Sequence, residues 1–368
     1  MIIGIPREIK THEYRVALLP VGAKCLTQDG HRVFVQKGAG LGAGISDMDY
    51  ENAGAEILDS MEEIYDEADL ILKVKEPQPS EIKLLQKGQT LFCFFHFAAS
   101  KTLTESCLSK KITAIAYETL FDQHGRLPLL APMSEIAGKL AAQEGAKCLE
   151  NPMQGRGILL GGVAGVERAN VLILGGGIVG AGAAKVAAGL GANVVIMDVN
   201  QERMRYLEDT LPANVKTVFS DPHAVETYAQ AADLIIGAVL IPGKKAPHLL
   251  AREQLKLLKP GTVLVDVSID QGGVFETSRP TTHDEPTFVI DGIVHYCVAN
   301  MPGAVSRTST FALCNATLPY ARCLANLGTE KFIAQGSGHQ EALNMRNGVL
   351  TNRAVAEAFP NLPYQSPV

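Results

Sequence analysis

The chain has no tryptophan, no Cys-x-x-Cys pair, no long apolar run and no excess of positive charge. The first absence excludes nothing; the others do. Seven cysteines, at 25, 93, 107, 148, 297, 314 and 323, are scattered and odd in number. A disulfide framework or a metal cluster would need paired spacing. Cys93, Cys148 and Cys314 lie in apolar runs, so the set reads as buried thiols in a reducing compartment, with no metal site. No apolar stretch approaches the roughly 18 residues of a membrane span. The opening MIIGIPREIK has too short an apolar run for a signal peptide, so a cytoplasmic protein is expected. A net charge of −6 argues against nucleic acid or an anionic membrane as partner. The 368 residues, 46% of them hydrophobic, provide for two domains with substantial cores.

What is present concentrates in Val171–Asp198, VLILGGGIVGAGAAKVAAGLGANVVIMD. An apolar run ends in glycines, an Ala/Gly-rich helical segment follows, and a second apolar run closes on an acid. Gly175, Gly177 and Gly180 satisfy G-x-G-x-x-G. In strand–turn–helix–strand context this is a dinucleotide-binding unit. Gly175 allows the tight turn, Gly177 lets backbone approach a pyrophosphate, and Gly180 lets the helix pack closely. The helix N-terminus offers amides to the phosphates. Asp198 is placed to accept from the ribose hydroxyls of NAD and to repel the 2′-phosphate of NADP.

Elsewhere short apolar runs alternate with amphipathic segments, which implies parallel sheets flanked by helices. Strands are predicted at Ile2–Ile5, His31–Gln36, Leu70–Lys75, Thr90–His96 and Thr113–Tyr117, then near Lys216–Phe219, Asp233–Val239, Thr262–Val267 and Thr287–Ile290. Helices are predicted at Val21–Asp29, Thr102–Lys110, Ser134–Leu149 (with Ser134 as N-cap) and Arg252–Leu258. Past Met301 the pattern is helical, Ser306–Leu327 and then Glu330–Gln335, and no strand is expected. The reading is an α/β protein of two doubly wound domains. A Rossmann domain, 131–304, is inserted in a discontinuous domain, 1–130 and 305–368, with a cleft between them. The inner boundary falls anywhere from Leu130 to Gly165. No internal sequence repeat is visible.

Ligands of open α/β sheets bind beyond the carboxyl ends of the strands. Four ionisable residues fall there. Arg15 precedes an apolar helix start at Val16–Leu19. Lys75 ends DLILKVK, His96 ends LFCFFHF, and Asp270 follows TVLVDVS. Each has a plainer reading. Lys75 serves equally as a solvated strand-end lysine, although Lys73 shares its face. His96 amid phenylalanines reads as a core histidine. Asp270 could cap the turn before Gly272-Gly273. Arg15 could pair with Glu8 or Glu13 on the surface. The shared topological position favours one site.

The blocks IGIPREIKTHEYRVALLP, LKVKEPQ, FFHFA, LAPMSEIAGKLAAQ, the glycine segment, DVSIDQGG and VANMPGAVSRTST together resemble the alanine dehydrogenase and transhydrogenase α-subunit family, from residue 1 to about 350. The resemblance implies reversible oxidative deamination of L-alanine to pyruvate and ammonia, NAD as cofactor, and a homohexamer. Arg15 and Lys75 then bind the substrate, Arg15 through a bidentate fork. His96 and Asp270 are the catalytic pair that move protons as water adds and ammonia leaves. The resemblance also implies cofactor contacts at Ser134, Ile178, Val179, Ser220, Val239, Leu240, Val267, Ser268, Ile269, Asp270, Arg279, Val298, Ala299, Asn300 and Met301. Arg203, with Arg205 nearby, would soften the discrimination against NADP that Asp198 imposes.

Overall fold

The computed structural model describes residues 1–239 and 246–366. Its strands, in chain order, are β1 (Ile2–Ile5), β2 (Arg32–Gln36), β3 (Glu56–Leu58), β4 (Leu70–Leu72), β5 (Thr90–Cys93), β6 (Thr113–Ala116), β7 (Asn170–Leu174), β8 (Asn193–Asp198), β9 (Val215–Phe219), β10 (Leu234–Gly237), β11 (Val263–Asp266), β12 (Thr287–Ile290), β13 (Ile293–Tyr296), β14 (Leu343–Arg346) and β15 (Val349–Leu350). They form two sheets. The chain divides into unit 1, residues 1–133 and 305–368, and unit 2, residues 134–304. The division runs through helix Ala131–Cys148.

In unit 1 the order is β15-β14-β6-β5-β4-β1-β2-β3. The strands from β1 to β6 pair in parallel. Leu91, Phe92 and Cys93 of β5 are all buried, as both faces of a parallel sheet require. Helix Met61–Glu67 begins at a Ser60–Glu63 capping box and packs on β1, where a Cβ on Gly4 would stand 2.8 Å from Ala68 Cβ. One core cluster gathers Phe34, Ile64, Ile71, Leu91 and Phe95.

Unit 2 has the order β12-β13-β11-β10-β7-β8-β9. Apart from the antiparallel β12, this is the same winding as β1 to β6: three strands run one way from the first, then three the other. Its core cluster includes Leu172, Met197, Ile235, Leu264 and Phe275. The sequence repeat is absent but the winding recurs, because winding depends on the strand–helix alternation rather than on residue identity.

Four expectations are corrected. The segment after Met301 does return to strand: β14 pairs antiparallel with β6 and with β15. Its sequence LNMR carries no apolar run, because the buried Asn344 interrupts it and spends its side-chain amide on Thr119 Oγ1 at 2.7 Å. Helix Ala131–Cys148 starts before Ser134, with Pro132 in its first turn, so Ser134 is no N-cap. Val16–Leu19 is buried but non-helical, and the helix is Pro20–Gln28 with proline at its start. The strands before Lys75 and His96 end at Leu72 and Cys93, so both residues sit in the following loops. The break expected between Leu327 and Glu330 is present: Gly328 interrupts Ser306–Ile333 with a φ of 73°.

Among the described residues no helix is long and apolar enough to cross a membrane. All seven cysteines are free thiols.

Candidate active site

Unit 2 carries the glycine turn at its topological switch point. β7 lies between β8 and β10, and the chain leaves it through Gly175 at a φ of 105°. A Cβ on Gly180 would meet Gly175 O at 1.8 Å, so the helix Ile178–Gly189 seats directly on the turn. A Cβ on Gly177 would meet nothing within 4 Å, which leaves that face of the turn open to a ligand. Gly177 is also the helix N-cap and has no side chain over the first amides. Ile178 is exposed and Val179 half-buried beside it. Ser134 lies one turn before Gly138, whose Cβ would clash with Val179 O at 2.0 Å, so its helix packs against the same turn.

Asp198 ends β8. Its Oδ2 accepts from the Gly176 amide at 2.7 Å and its Oδ1 from the Asn200 amide at 2.8 Å. Ser220 follows β9 and donates its amide to Asp198 O at 3.0 Å. Arg203 lies over the same turn. Its Nε donates to Gly176 O at 2.5 Å, its Nη2 to Gly177 O at 3.2 Å, and the guanidinium lies over the Tyr206 ring. Arg203 therefore braces the turn, and those donors are spent on carbonyls rather than offered to a 2′-phosphate. Gly176, which the motif spacing does not single out, is the residue both side chains hold.

The next strand ends converge on this turn. Gly175 lies against Ala238 O and the Val239 amide after β10. Ser268 Oγ donates to Val239 O at 2.7 Å, tying the loop after β11 to that after β10. Leu240 lies outside the described residues. Val267 to Asp270 follow β11; Ile269 is buried and Asp270 exposed in a short 3-10 turn. The buried Asp266, unremarked in the sequence, builds this loop. It accepts from the amides of Ser268, Val274 and Phe275 and from Ser278 Oγ at 3.0, 2.7, 3.3 and 2.5 Å. Burial pushes its pKa up against those four donors, which lower it. Val298 to Met301 follow β13, with Asn300 at a φ of 62° and Met301 buried. The backbone of Arg279 lies beside Cys297, just before that loop, and its guanidinium stacks 4.1 Å over Phe288 of the edge strand β12.

Unit 1 places its polar residues at the matching switch point, between β1 and β4. Arg15 follows β1, Lys75 follows β4 and His96 follows β5, three adjacent strands. Arg15 is only 2% exposed and pairs with Glu13, but as a buried pair, not a surface one. Its Nε and Nη2 donate to Glu13 at 2.6 and 2.5 Å, and its Nη1 to Met133 Sδ at 3.0 Å. Burial works to raise the Glu13 pKa, but the hydrogen bonds and charge of Arg15 and the charge of Lys75 outweigh it and hold it low. A pocket of about 430 Å³ opens here, lined by Arg7, Lys10, Glu13, Arg15 and Gly42 among others. Lys75 is half-buried. Burial first, then the charges of Arg15 and Lys10, push its pKa down.

Lys73, which the sequence places on the same face as Lys75, is buried instead between Glu8 at 3.0 Å and Glu81 at 2.7 Å. Glu8 also accepts the amides of Val74 and Lys75 at 2.6 and 3.4 Å. The cluster thus sets the path of the segment that bears Lys75. Burial works to discharge Lys73, yet the two carboxylates raise its pKa. His96 is exposed and is no core histidine. Its ring stacks parallel to Phe94 with centroids 5.8 Å apart. Among the described residues no group of three or more acidic, His or Cys side chains is arranged to hold a metal.

The comparisons with known proteins agree across the whole chain. The family profile of the alanine dehydrogenase/PNT N-terminal domain matches residues 4–137, and that of the C-terminal domain matches residues 141–353. An alanine dehydrogenase of Halomonas elongata is 55% identical over 98% of this chain and 97% of its own length. One from Bacillus subtilis is 52% identical over 97% of this chain and 94% of its own length. A solved L-alanine dehydrogenase structure superposes with a TM-score of 0.95 at 47% identity, covering 98% of this chain and 99% of that one. The chain belongs to the alanine dehydrogenase/PNT family.

Proposed function

We propose that this chain is an NAD-dependent L-alanine dehydrogenase, catalysing L-alanine oxidation to pyruvate and ammonia and its reverse. The observation that carries it is the placement of Arg15, Lys75 and His96 at the switch point of one sheet, in a chain whose other sheet bears an acid-closed glycine turn. In this reading unit 2 is the NAD-binding domain and unit 1 the substrate domain. The residues fit the cofactor: Gly177 leaves backbone open, and Asp198 ends β8 beside the turn. Gly175, Gly177, Ile178, Val179 and Gly180 would hold the pyrophosphate, Asp198 and Ser220 the adenosine end. Ser134, Val239, Val267 to Asp270 and Val298 to Met301 would line the nicotinamide side. NAD, when bound, supplies the hydride acceptor.

The chain's own residues do the rest. Glu13 holds the Nε–Nη2 side of Arg15 and so fixes the guanidinium that, in this reading, binds the substrate carboxylate. Lys75 donates to the same carboxylate or to the carbonyl oxygen of pyruvate. Once Cα is oxidised to an iminium, water must add and ammonia must leave. His96 carries protons in these steps. Asp270 orients the attacking water and opposes the positive charge of the iminium. A homohexameric assembly goes with this reading, as does a cytoplasmic location.

The test is a substrate panel: purified protein with NAD or NADP against L-alanine, D-alanine, glycine and L-serine at alkaline pH, read as reduced nucleotide. Turnover confined to L-alanine with NAD supports the proposal. A different amino acid as the better substrate replaces the alanine assignment.

A further inference from the structure

We propose that Glu118 is the positioning residue of His96, holding the imidazole in its working direction through the backbone. This rests on the reading of His96 as a proton carrier. β5 and β6 pair as far as Cys93 and Ala116 and then part. Past that point the amides of Phe95 and His96 lose their ladder partners. Glu118, in the short turn Tyr117–Thr119 after β6, takes them both. Its Oε1 accepts from the His96 amide at 2.6 Å, and its two oxygens from the Phe95 amide at 3.2 and 3.3 Å.

What those bonds hold is an unusual backbone. His96 has φ 50° and ψ 41°, in the left-handed region that a non-glycine residue occupies only when its surroundings dictate it. Its carbonyl is fixed as well, accepting from the Ala99 amide at 2.9 Å. The ring lies 4° from parallel with Phe94, and Phe94 meets Tyr117 edge-on with centroids 5.1 Å apart. Neighbouring residues of one turn therefore fix His96 twice: Glu118 through the backbone and Tyr117 through Phe94. His96 is itself exposed, so the core does not hold its ring. An acceptor oxygen at this reach satisfies both amides that the ladder leaves unpaired. Released from it, His96 relaxes towards negative φ and its imidazole swings away.

The test compares Glu118→Gln, Glu118→Asp and Glu118→Ala with His96→Ala. Gln keeps an acceptor at the same reach without the charge. Asp keeps the charge but withdraws it by one methylene. Displacement of a catalytic group by about 1 Å costs about 10²-fold. E118A and E118D are expected to lose kcat on that scale, with KM for L-alanine and NADH affinity unchanged. E118Q is expected to recover most of the rate. Should E118A fail to fold, the comparison of E118D with E118Q stands alone. Wild-type kcat in E118D, or E118Q as impaired as E118D, overturns the proposal. If H96A loses activity while E118D does not, only the role of Glu118 falls; if H96A keeps full activity, the reading of His96 falls with it.

Discussion

Asp198 and Arg203 grip the two backbone polar groups of one residue, Gly176. Asp198 Oδ2 accepts from the Gly176 amide at 2.7 Å, and Arg203 Nε donates to the Gly176 carbonyl at 2.5 Å. An acid at this strand end is placed to read ribose hydroxyls; the structure shows that it also anchors the turn. Losing a hydrogen bond to a charged group costs about 1.5–3 kcal/mol, or roughly ten- to hundredfold in affinity. Asp198→Ala is therefore expected to weaken NADH binding by that factor in a fluorescence titration. Arg203→Ala is expected to weaken it less and to leave the NAD over NADP preference intact. An NADP preference that changes on removing Arg203 alone would mean the guanidinium reads the cofactor directly.

His96 and Asp270 are expected to act on rate, not on cofactor binding. Proton-transfer groups contribute about 10²–10⁴-fold. His96→Ala and Asp270→Asn should each lose kcat on that scale while NADH titrates with unchanged affinity. A loss of NADH binding in His96→Ala would assign His96 to the cofactor instead.

Lys75 gives a pH dependence with a definite sign. Burial and the neighbouring Arg15 and Lys10 charges lower its pKa, so it loses its proton at lower pH than an ordinary lysine. Only the cation binds a carboxylate. The KM for pyruvate is thus expected to rise on the alkaline side below the ordinary lysine range. Lys75→Arg, always charged, should flatten that limb. A limb that persists unchanged in Lys75→Arg belongs to another group.

The buried Lys73 carries a stability prediction. It pairs with both Glu8 and Glu81. Removing one partner of a buried ion pair costs about 3–5 kcal/mol. Lys73→Met is expected to destabilise by that order in urea denaturation at neutral pH. Acidification should return part of the loss, because Glu8 already has a raised pKa from burial and protonates readily. A neutral effect of Lys73→Met would show that the carboxylates find other partners.

The legibility of these features in the sequence follows the kind of interaction involved. β1, β12 and the β7–helix–β8 unit are local patterns of apolar runs and glycines, and the residues show them directly. Arg15, Lys75, His96 and Asp270 stand at strand ends, so topology alone groups the first three at one switch point. The strand β14 is marked only by the Asn347-Gly348 turn that joins it to β15, since LNMR has no apolar run and its other partner β6 lies more than 200 positions earlier. Glu118, Asp266 and Lys73 are hidden in the sequence. Each works by bonding to backbone or charge that the folded loops bring to it, and a single acid or lysine carries no local mark of that. For Arg203 the charge is visible in the sequence, but its engagement with the Gly176 and Gly177 carbonyls is not.

The most direct test of the central claim follows the hydrogen itself. L-alanine deuterated at Cα is incubated with NAD and the purified chain, and the products are read by NMR. Deuterium on C4 of the reduced nicotinamide, with pyruvate formed one for one, is the predicted result. Bound NADH with no deuterium transfer and no pyruvate would contradict the account, leaving a nucleotide-binding protein without amino-acid oxidation.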